Sequence, residues 1–506
     1  MASQGLSRRY FFLGSLLSGA VPFGGYGTVK SLRAMGYKPY YDKLNVAAIG
    51  CGGQGGRILN QVARTENIVA LCDVDEKRAA ENFQRYAKQP KYADFRVMLE
   101  KEAKNIDACT IGIPDHMHAT AALACMQAGK HVYVEKPLTR TPWEARLMAD
   151  AARKYGVATQ MGNQGYSHES IRVTGEILWS GEIGDVREVH ASSSPGTHPV
   201  GLPAMPDETA VPAGLDWDLW LGGADMRAYN PTFTPYNWRG DFDFGTGQLG
   251  NWGIHVLGPV NLALQLGAPT SVELLRQVDP SQWTFPERAV LKYDFPARGK
   301  MPPVSVYWHD SPRPTEEEAY RVPGMEEQTI LPQANNLNTK GRGPEPQASS
   351  RRGPRRPRTG PPTGAGGPGV EVFGYERRGD PAEPGVLSGN GAVFLGSKGM
   401  MATVARGEGV QLLPAERWRD YELPPQLLTR SPGHMNDWVR ACKGGDAACS
   451  DFRISGPYTE WVVLGAIAFR VPGKLEWDST NMQFTNSDEA NKYVKPSFRK
   501  GWELKL

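Results

Sequence analysis

From Asn45 onward, short apolar runs alternate with amphipathic stretches. Val46-Ala47-Ala48-Ile49 has no polar position, the pattern of a strand covered on both faces. It runs into Gly50-Cys51-Gly52-Gly53-Gln54-Gly55-Gly56, and a helical stretch follows over 57–64. Further strands are predicted over 68–72, 107–113, 130–134 and 157–161, with helices over 76–86, 119–128 and 142–155 between them. This alternation predicts a doubly wound parallel sheet over 44–165. Later the pattern changes. Strand-like stretches at 186–191, 271–276, 287–293 and 304–307, and a strand–turn–strand at 392–400, predict an open, largely antiparallel sheet. Helices over 435–442 and 459–469 would cover it. The second unit is thus assigned to 166–311 and 386–506, and the open face of its sheet is the expected surface for a homo-oligomer.

Two segments fall outside this pattern. Residues 341–370 hold eight glycines, seven prolines and six arginines with almost no bulky apolar side chain. Such a stretch cannot bury enough surface to offset its ordering entropy, so 312–385 is expected to be an insertion disordered at its centre. At the start, Ser7-Arg8-Arg9-Tyr10-Phe11-Phe12-Leu13 precedes a glycine-broken apolar run to residue 23. A paired arginine before a weakly apolar run predicts a twin-arginine export signal and leader over 1–35, and a periplasmic or extracytoplasmic protein. That route carries folded proteins, which favours a tightly held cofactor. No other run approaches the roughly 20 apolar residues of a spanning helix. The net charge of +3 does not point to nucleic acid. None of the six cysteines forms a C-x-x-C pair, and no metal site is expected. Cys442 and Cys449 flank a short loop and are a candidate disulfide.

Gly50, Gly52 and Gly55 form G-x-G-x-x-G after a strand and before a helix, with Asp73 placed 23 positions after Gly50. In that context the motif predicts dinucleotide binding, with Gly53 and Gln54 in the same turn. Asp73 would accept bonds from ribose hydroxyls and repel a 2′-phosphate, which favours NAD while leaving NADP possible. Pro114-Asp115-His116-Met117-His118 and Glu135-Lys136-Pro137 fall at strand ends, where ligands sit on such sheets. A lysine there, desolvated beside a nicotinamide, would have its pKa lowered into the range of acid–base work. His116 and His118 are read as a wall of the nicotinamide pocket rather than a metal pair.

These segments, with Gly162-Asn163-Gln164, the stretch 215–222 and the stretch 245–255, resemble the Gfo/Idh/MocA oxidoreductases over roughly 44–300 and 385–504. The resemblance implies a Rossmann domain followed by an α/β domain. It implies NAD(P)-dependent oxidation or reduction of sugars, polyols or glycosides. It also implies that Lys136 acts with a later Asp-x-x-x-His motif. Here the histidine is His255, but Asn251 holds the aspartate position. Asparagine can bond a hydroxyl or orient a partner, and it cannot be a carboxylate base. Pro114, His116, His118, Glu135 and Gln164 join the expected cofactor site. Tyr166, His168, Trp238, Arg239 and His255 form the expected substrate site. Trp217 and Trp220 are read as packing residues. Two other functions fit the same residues: redox-neutral glycoside cleavage with recycled NAD, and a non-catalytic sugar sensor.

Overall fold

The computed structural model describes residues 42–331, apart from Glu316 and Glu318, and residues 383–506. The twin-arginine segment and the Gly/Pro/Arg-rich run lie outside the described residues.

The first unit is a six-stranded sheet, all of whose neighbours are parallel, in the order β3-β2-β1-β4-β5-β6. Its strands are β1 (Asn45–Ile49), β2 (Asn67–Cys72), β3 (Lys91–Tyr92), β4 (Ala108–Ile111), β5 (His131–Glu135) and β6 (Thr159–Gly162). The interleaved helices are α1 (Gly53–Val62), α2 (Glu76–Arg85), α3 (Phe95–Glu102), α4 (His118–Gln127) and α5 (Pro142–Tyr155). α5 starts on a capping box between Thr141 and Glu144 with Pro142 in its first turn, and Gly156 ends it in the left-handed region at φ +62°. The strand order reverses between β1 and β4, so their carboxyl ends open a crevice. The sequence pattern missed β3, which is two residues long, and α3.

The second unit is a nine-stranded sheet in the order β15-β14-β13-β7-β10-β9-β8-β16-β17. Its members are β7 (Val186–Ser193), β8 (Ser271–Val278), β9 (Arg288–Phe295), β10 (Val304–Asp310), β13 (Gly391–Gly396), β14 (Gly399–Val404), β15 (Gly409–Leu413), β16 (Lys474–Asp478) and β17 (Gln483–Phe484). Every pairing is antiparallel except β7 with β10. Helices α6 (Glu169–Trp179), α7 (Trp217–Leu221), α8 (Ile254–Ala263), α9 (His434–Cys442) and α10 (Phe452–Arg470) complete the unit. α10 ties the two domains together. It packs on α5, where Arg146 makes a twofold contact to Glu460 at 2.6 and 2.8 Å. It also packs on the second sheet, where the Tyr293 hydroxyl donates to the Val462 carbonyl at 2.9 Å.

Alternation along β13–β15 sends side chains to two clusters. Ala392, Phe394, Met401, Val410 and Leu412 enter the central core. Val393, Ala402 and Leu413 point the other way and meet Val322, Met325 and Ile330. The flanks of the expected insertion therefore pack on this end of the sheet. They also pair as β11 (Tyr320–Arg321) with β12 (Val386–Leu387).

The candidate disulfide is a correction. Both cysteines are free thiols. Cys442 is buried among Leu44, Val46 and Tyr133. Cys449 faces the Ser167 hydroxyl at 3.1 Å. The two side chains enter different surroundings, so the short loop between them does not close a bond.

Candidate active site

One cavity of about 610 Å³ runs from the Gly50 turn to the front of α8. Its nucleotide half follows from backbone geometry. Gly50 sits at φ +87°, and a Cβ there would stand 2.3 Å from the Gly112 carbonyl oxygen at the end of β4. A Cβ on Gly52 would stand 2.4 Å from Arg78 Cγ. Only glycine lets the chain pass this close. α1 then begins without a side-chain cap and without an acid in its first turn, so its N–H groups face the cavity unopposed. Arg57 and Arg78 line the same region. These residues fit a dinucleotide pyrophosphate. Asp73 closes the end of β2, where its carboxylate accepts the N–H groups of Cys51 at 2.7 Å and Asp75 at 3.0 Å. Burial raises its pKa, and these two donors counter that rise.

The second half of the cavity is lined by Lys136, Asn251 and His255. Lys136, directly after β5, donates from Nζ to the Asn251 backbone oxygen at 2.7 Å and to Asn251 Oδ1 at 2.6 Å. Asn251 lies in a π-helical turn over Leu249–Gly253 that leads into α8. Its own Nδ2 donates to Gln248 Oε1 at 3.2 Å, and Gln248 Nε2 donates to the Ser194 carbonyl at 2.6 Å. The lysine pKa is pushed down to about 7, first by burial and then by the Arg239 guanidinium. This has a geometric consequence. A neutral amine has two hydrogens, and Asn251 supplies two acceptors. The lone pair then remains for a substrate proton. His255 is buried, and among the described residues its Nδ1 has no hydrogen-bond partner. Burial, followed by the charges of Lys136 and Arg406, holds its pKa well below the usual imidazole range. Glu135 lies behind Lys136 and accepts from Gln54 and Gln164, each at 3.2 Å.

Gly50, Gly52, Gly53, Gln54, Asp73, Pro114, His118, Glu135, Lys136, Gln164, Trp238, Arg239, Asn251 and His255 all line the cavity. Gly55 lies just beneath, against the backbone of Gly50 and Gly112. Besides Gly55, three expected residues do not line it. His116 is buried between Trp220 and Phe244, with ring centroids 5.1 Å from each, and its Nε2 meets the Trp220 carbonyl at 3.0 Å. Trp220, rather than His116, forms that wall. The Tyr166 hydroxyl accepts from Asn261 Nδ2 at 2.9 Å inside the core. His168 caps α6. The His118 ring is engaged as well, meeting the carbonyls of Pro137 at 2.7 Å and Ile113 at 2.8 Å. Among the described residues no cluster of three metal-ligating side chains occurs.

The sequence reading missed several wall residues. Asp115 accepts from Thr246 Oγ1 at 2.6 Å and was visible within the Pro114–His118 motif. Trp252 follows Asn251 directly. Arg406 comes from the β14–β15 turn, and Trp502 from the C-terminal tail. No local signal marks either of these last two.

The family model described as "Oxidoreductase family, NAD-binding Rossmann fold" matches residues 44–163, and its partner model, "Oxidoreductase family, C-terminal alpha/beta domain", matches 199–285. Inositol 2-dehydrogenase 2 of Saccharopolyspora erythraea is 29% identical over 192 residues, which are 36% of this chain and 55% of the relative. D-glucoside 3-dehydrogenase of Escherichia coli is 34% identical over 116 residues, 22% of this chain and 32% of the relative. The chain thus spans about half the length, or less, of the curated relatives it matches. A solved dehydrogenase, WlbA of Bordetella pertussis in complex with NADH and UDP-GlcNAcA, superposes with a TM-score of 0.52 at 13% identity, over 86% of this chain and 99% of its own. That likeness is one of fold. Residues 44–163 and 199–285 thus match the NAD-binding Rossmann and C-terminal α/β domain models of the Gfo/Idh/MocA oxidoreductases.

Proposed function

We propose that the protein is an NAD-dependent oxidoreductase acting on a hydroxyl or keto group of a sugar, polyol or glycoside. The observation that carries the reading is Lys136. Its amine is held by two acceptors, its pKa is pushed down to about 7, and it stands on the wall of a cavity continuous with the glycine turn. A bound nicotinamide supplies a two-electron hydride acceptor or donor. In the oxidative direction the substrate C–H bond loses its hydride and the hydroxyl proton moves to the Lys136 lone pair, leaving a carbonyl. Asn251 aims the amine, and neutral His255 offers its open Nδ1 to the substrate oxygen. Asp73 beside the ribose position favours NAD over NADP, since a 2′-phosphate would meet its carboxylate.

Retention of the nucleotide is part of the proposal. The stretch leading into α7 reaches across to the first domain, with Glu76 N–H bonded to the Gly214 carbonyl at 2.9 Å and Asp216 N–H bonded to the Val74 carbonyl at 2.9 Å. Trp502 closes the other side, with its ring against Phe95 and the Arg96 guanidinium. Two separate segments thus clasp the adenosine end. A clasped cofactor suits a protein exported already folded, and it also favours a second reading: redox-neutral glycoside cleavage with NAD recycled in place. A product with no net redox change identifies the second.

Lys136→Ala tests the common core. With pyranosides and inositols as the panel, turnover should fall by about 10²-fold or more, while the nucleotide released on denaturation stays at the wild-type amount. Unchanged turnover removes Lys136 from the chemistry.

A further inference from the structure

Asn251 brings a choice of orientation that a carboxylate would not. Either oxygen of an aspartate could face Lys136, whereas a side-chain amide has one accepting and one donating end. In the observed orientation Oδ1 accepts from Lys136 Nζ at 2.6 Å, beside the Asn251 backbone oxygen at 2.7 Å. A half-turn of the amide would set Nδ2 there instead. Its hydrogens would repel an ammonium, and they would donate to the lone pair of a neutral amine. The lysine would then keep its place with no lone pair left for a substrate proton.

A chain of hydrogen bonds selects between the two orientations. Asn251 Nδ2 donates to Gln248 Oε1 at 3.2 Å, and Gln248 Nε2 donates to the Ser194 carbonyl at 2.6 Å. The chain ends on a backbone oxygen, which can only accept, and that fixes the direction of every link before it. Turning Asn251 alone would set its Oδ1 against Gln248 Oε1. Turning both amides together would set Gln248 Oε1 against the Ser194 oxygen. Gln248 itself is buried and does not line the cavity. Ser194 directly follows β7, and Gln248 directly precedes the π-helical turn that carries Asn251. Gly196 closes over the pair, since a Cβ there would stand 3.1 Å from Gln248 Oε1. The second sheet thus holds the two amides in register with the lysine of the first domain.

We propose that Gln248 is a positioning residue for the reaction: it keeps Asn251 Oδ1 toward Lys136 and so leaves the amine lone pair to the substrate. The inference rests on the function proposed above and adds to it a residue behind the cavity wall. Its signature is dependence on the amide. With a symmetric carboxylate at 251 there is no wrong orientation, and Gln248 has nothing to select.

The test is a double-variant cycle on the full chain loaded with NAD: native, Gln248→Met, Asn251→Asp and the two together. Methyl glucosides and inositols are supplied as substrates, and the rate of NADH formation is read on the high-pH plateau of each form. Acylation of Lys136 by acetic anhydride across pH reports the free lone pair without a substrate. With Asn251 present, Gln248→Met should lower both plateau rates at least about tenfold and move the acylation midpoint down by about one pH unit, because the turned amide favours the uncharged amine and then occupies it. With Asn251→Asp, the same substitution should leave both plateaus within about twofold. Gln248→Glu should recover most of the native rate, since a protonated Glu carries an acceptor for Asn251 and a donor for Ser194. The charged neighbours of Lys136, namely Arg239, Glu135, Asp115 and Arg406, are the same in every form, so the differences report the amide. If Gln248→Met does not fold, Gln248→Asn gives the same comparison, because its shorter amide cannot span from Ser194 to Asn251. Equal losses in the two backgrounds overturn the proposal and leave Gln248 a residue of stability alone. A midpoint that stays at the native value when Gln248 is replaced overturns it too. Undiminished turnover in Lys136→Ala instead overturns the function proposed above, and the role of Gln248 falls with it.

Discussion

Asn251→Asp is the sharpest perturbation of the candidate site. It replaces the neutral Oδ1 that accepts from Lys136 at 2.6 Å by a carboxylate and alters little else in shape. At an effective dielectric constant of about 20, opposite charges roughly 4 Å apart attract by about 4 kcal/mol. Desolvating the new carboxylate offsets part of this, leaving about 2–3 kcal/mol in favour of the ammonium form. At 1.36 kcal/mol per pH unit, the lysine pKa should climb by about two units, from about 7 to about 9. The sign for catalysis follows. Oxidation needs the neutral amine, so in the native protein activity should rise through about pH 7 and fall about tenfold per unit below it. In the variant the same limb should lie near pH 9. The measurement need not wait for a substrate. Acylation by a small anhydride at a series of pH values, with the Lys136 peptide quantified by mass spectrometry, reports the free-amine fraction directly. Native and variant curves that share a midpoint near 10 would refute both the lowered pKa and the expected response to a carboxylate at position 251.

Two further changes separate site from scaffold. Trp502→Ala removes the ring that Phe95 and Arg96 hold at the adenosine end; NAD should leave about tenfold faster or more in a stopped-flow chase, and an unchanged off-rate shows that the tail is no clasp. Tyr166→Phe deletes the buried bond from Asn261, so thermal unfolding should show a loss of about 1 kcal/mol with kcat/KM unaltered, whereas a kinetic defect at unchanged stability returns Tyr166 to the substrate pocket.

The nucleotide half was legible because each of its signals is local. A strand, a tight glycine turn and a helix start occupy consecutive residues, and Asp73 follows from the next strand. Helices α6 and α8 were not legible. α8 contains Gly258 and Pro259 and is buried almost all round, so it has neither the polar stripe nor the uninterrupted run that marks a helix. α6 buries Arg172 and Glu176, which reads as an exposed face until Arg430 is seen to bond Glu176 at 2.6 and 2.9 Å. Tyr166 and His168 were misplaced because nearness to a strand end in sequence was taken for nearness in space. After Gln164 a single 3-10 turn, Gln164–Ser167, carries the chain away from the cavity and into the core.

The substrate half resists sequence reading for a different reason: its parts come from distant segments and are joined by the second sheet. Arg406 reaches the cavity because β14 and β15 end in a strained turn that fits against Gly165, and nothing near residue 406 announces this. Asn251 was visible as a departure from the Asp-x-x-x-His pattern, yet its meaning was not. Its backbone carbonyl takes one lysine hydrogen and its side chain takes the other, an arrangement set by the π-helical turn rather than by residue type. Read together, these two features concern one balance of charge. An aspartate at 251 would hold the lysine as ammonium and oppose the two guanidinium groups beside it. Asparagine does neither. The lysine pKa stays near 7, so its amine can both take and return a proton at neutral pH.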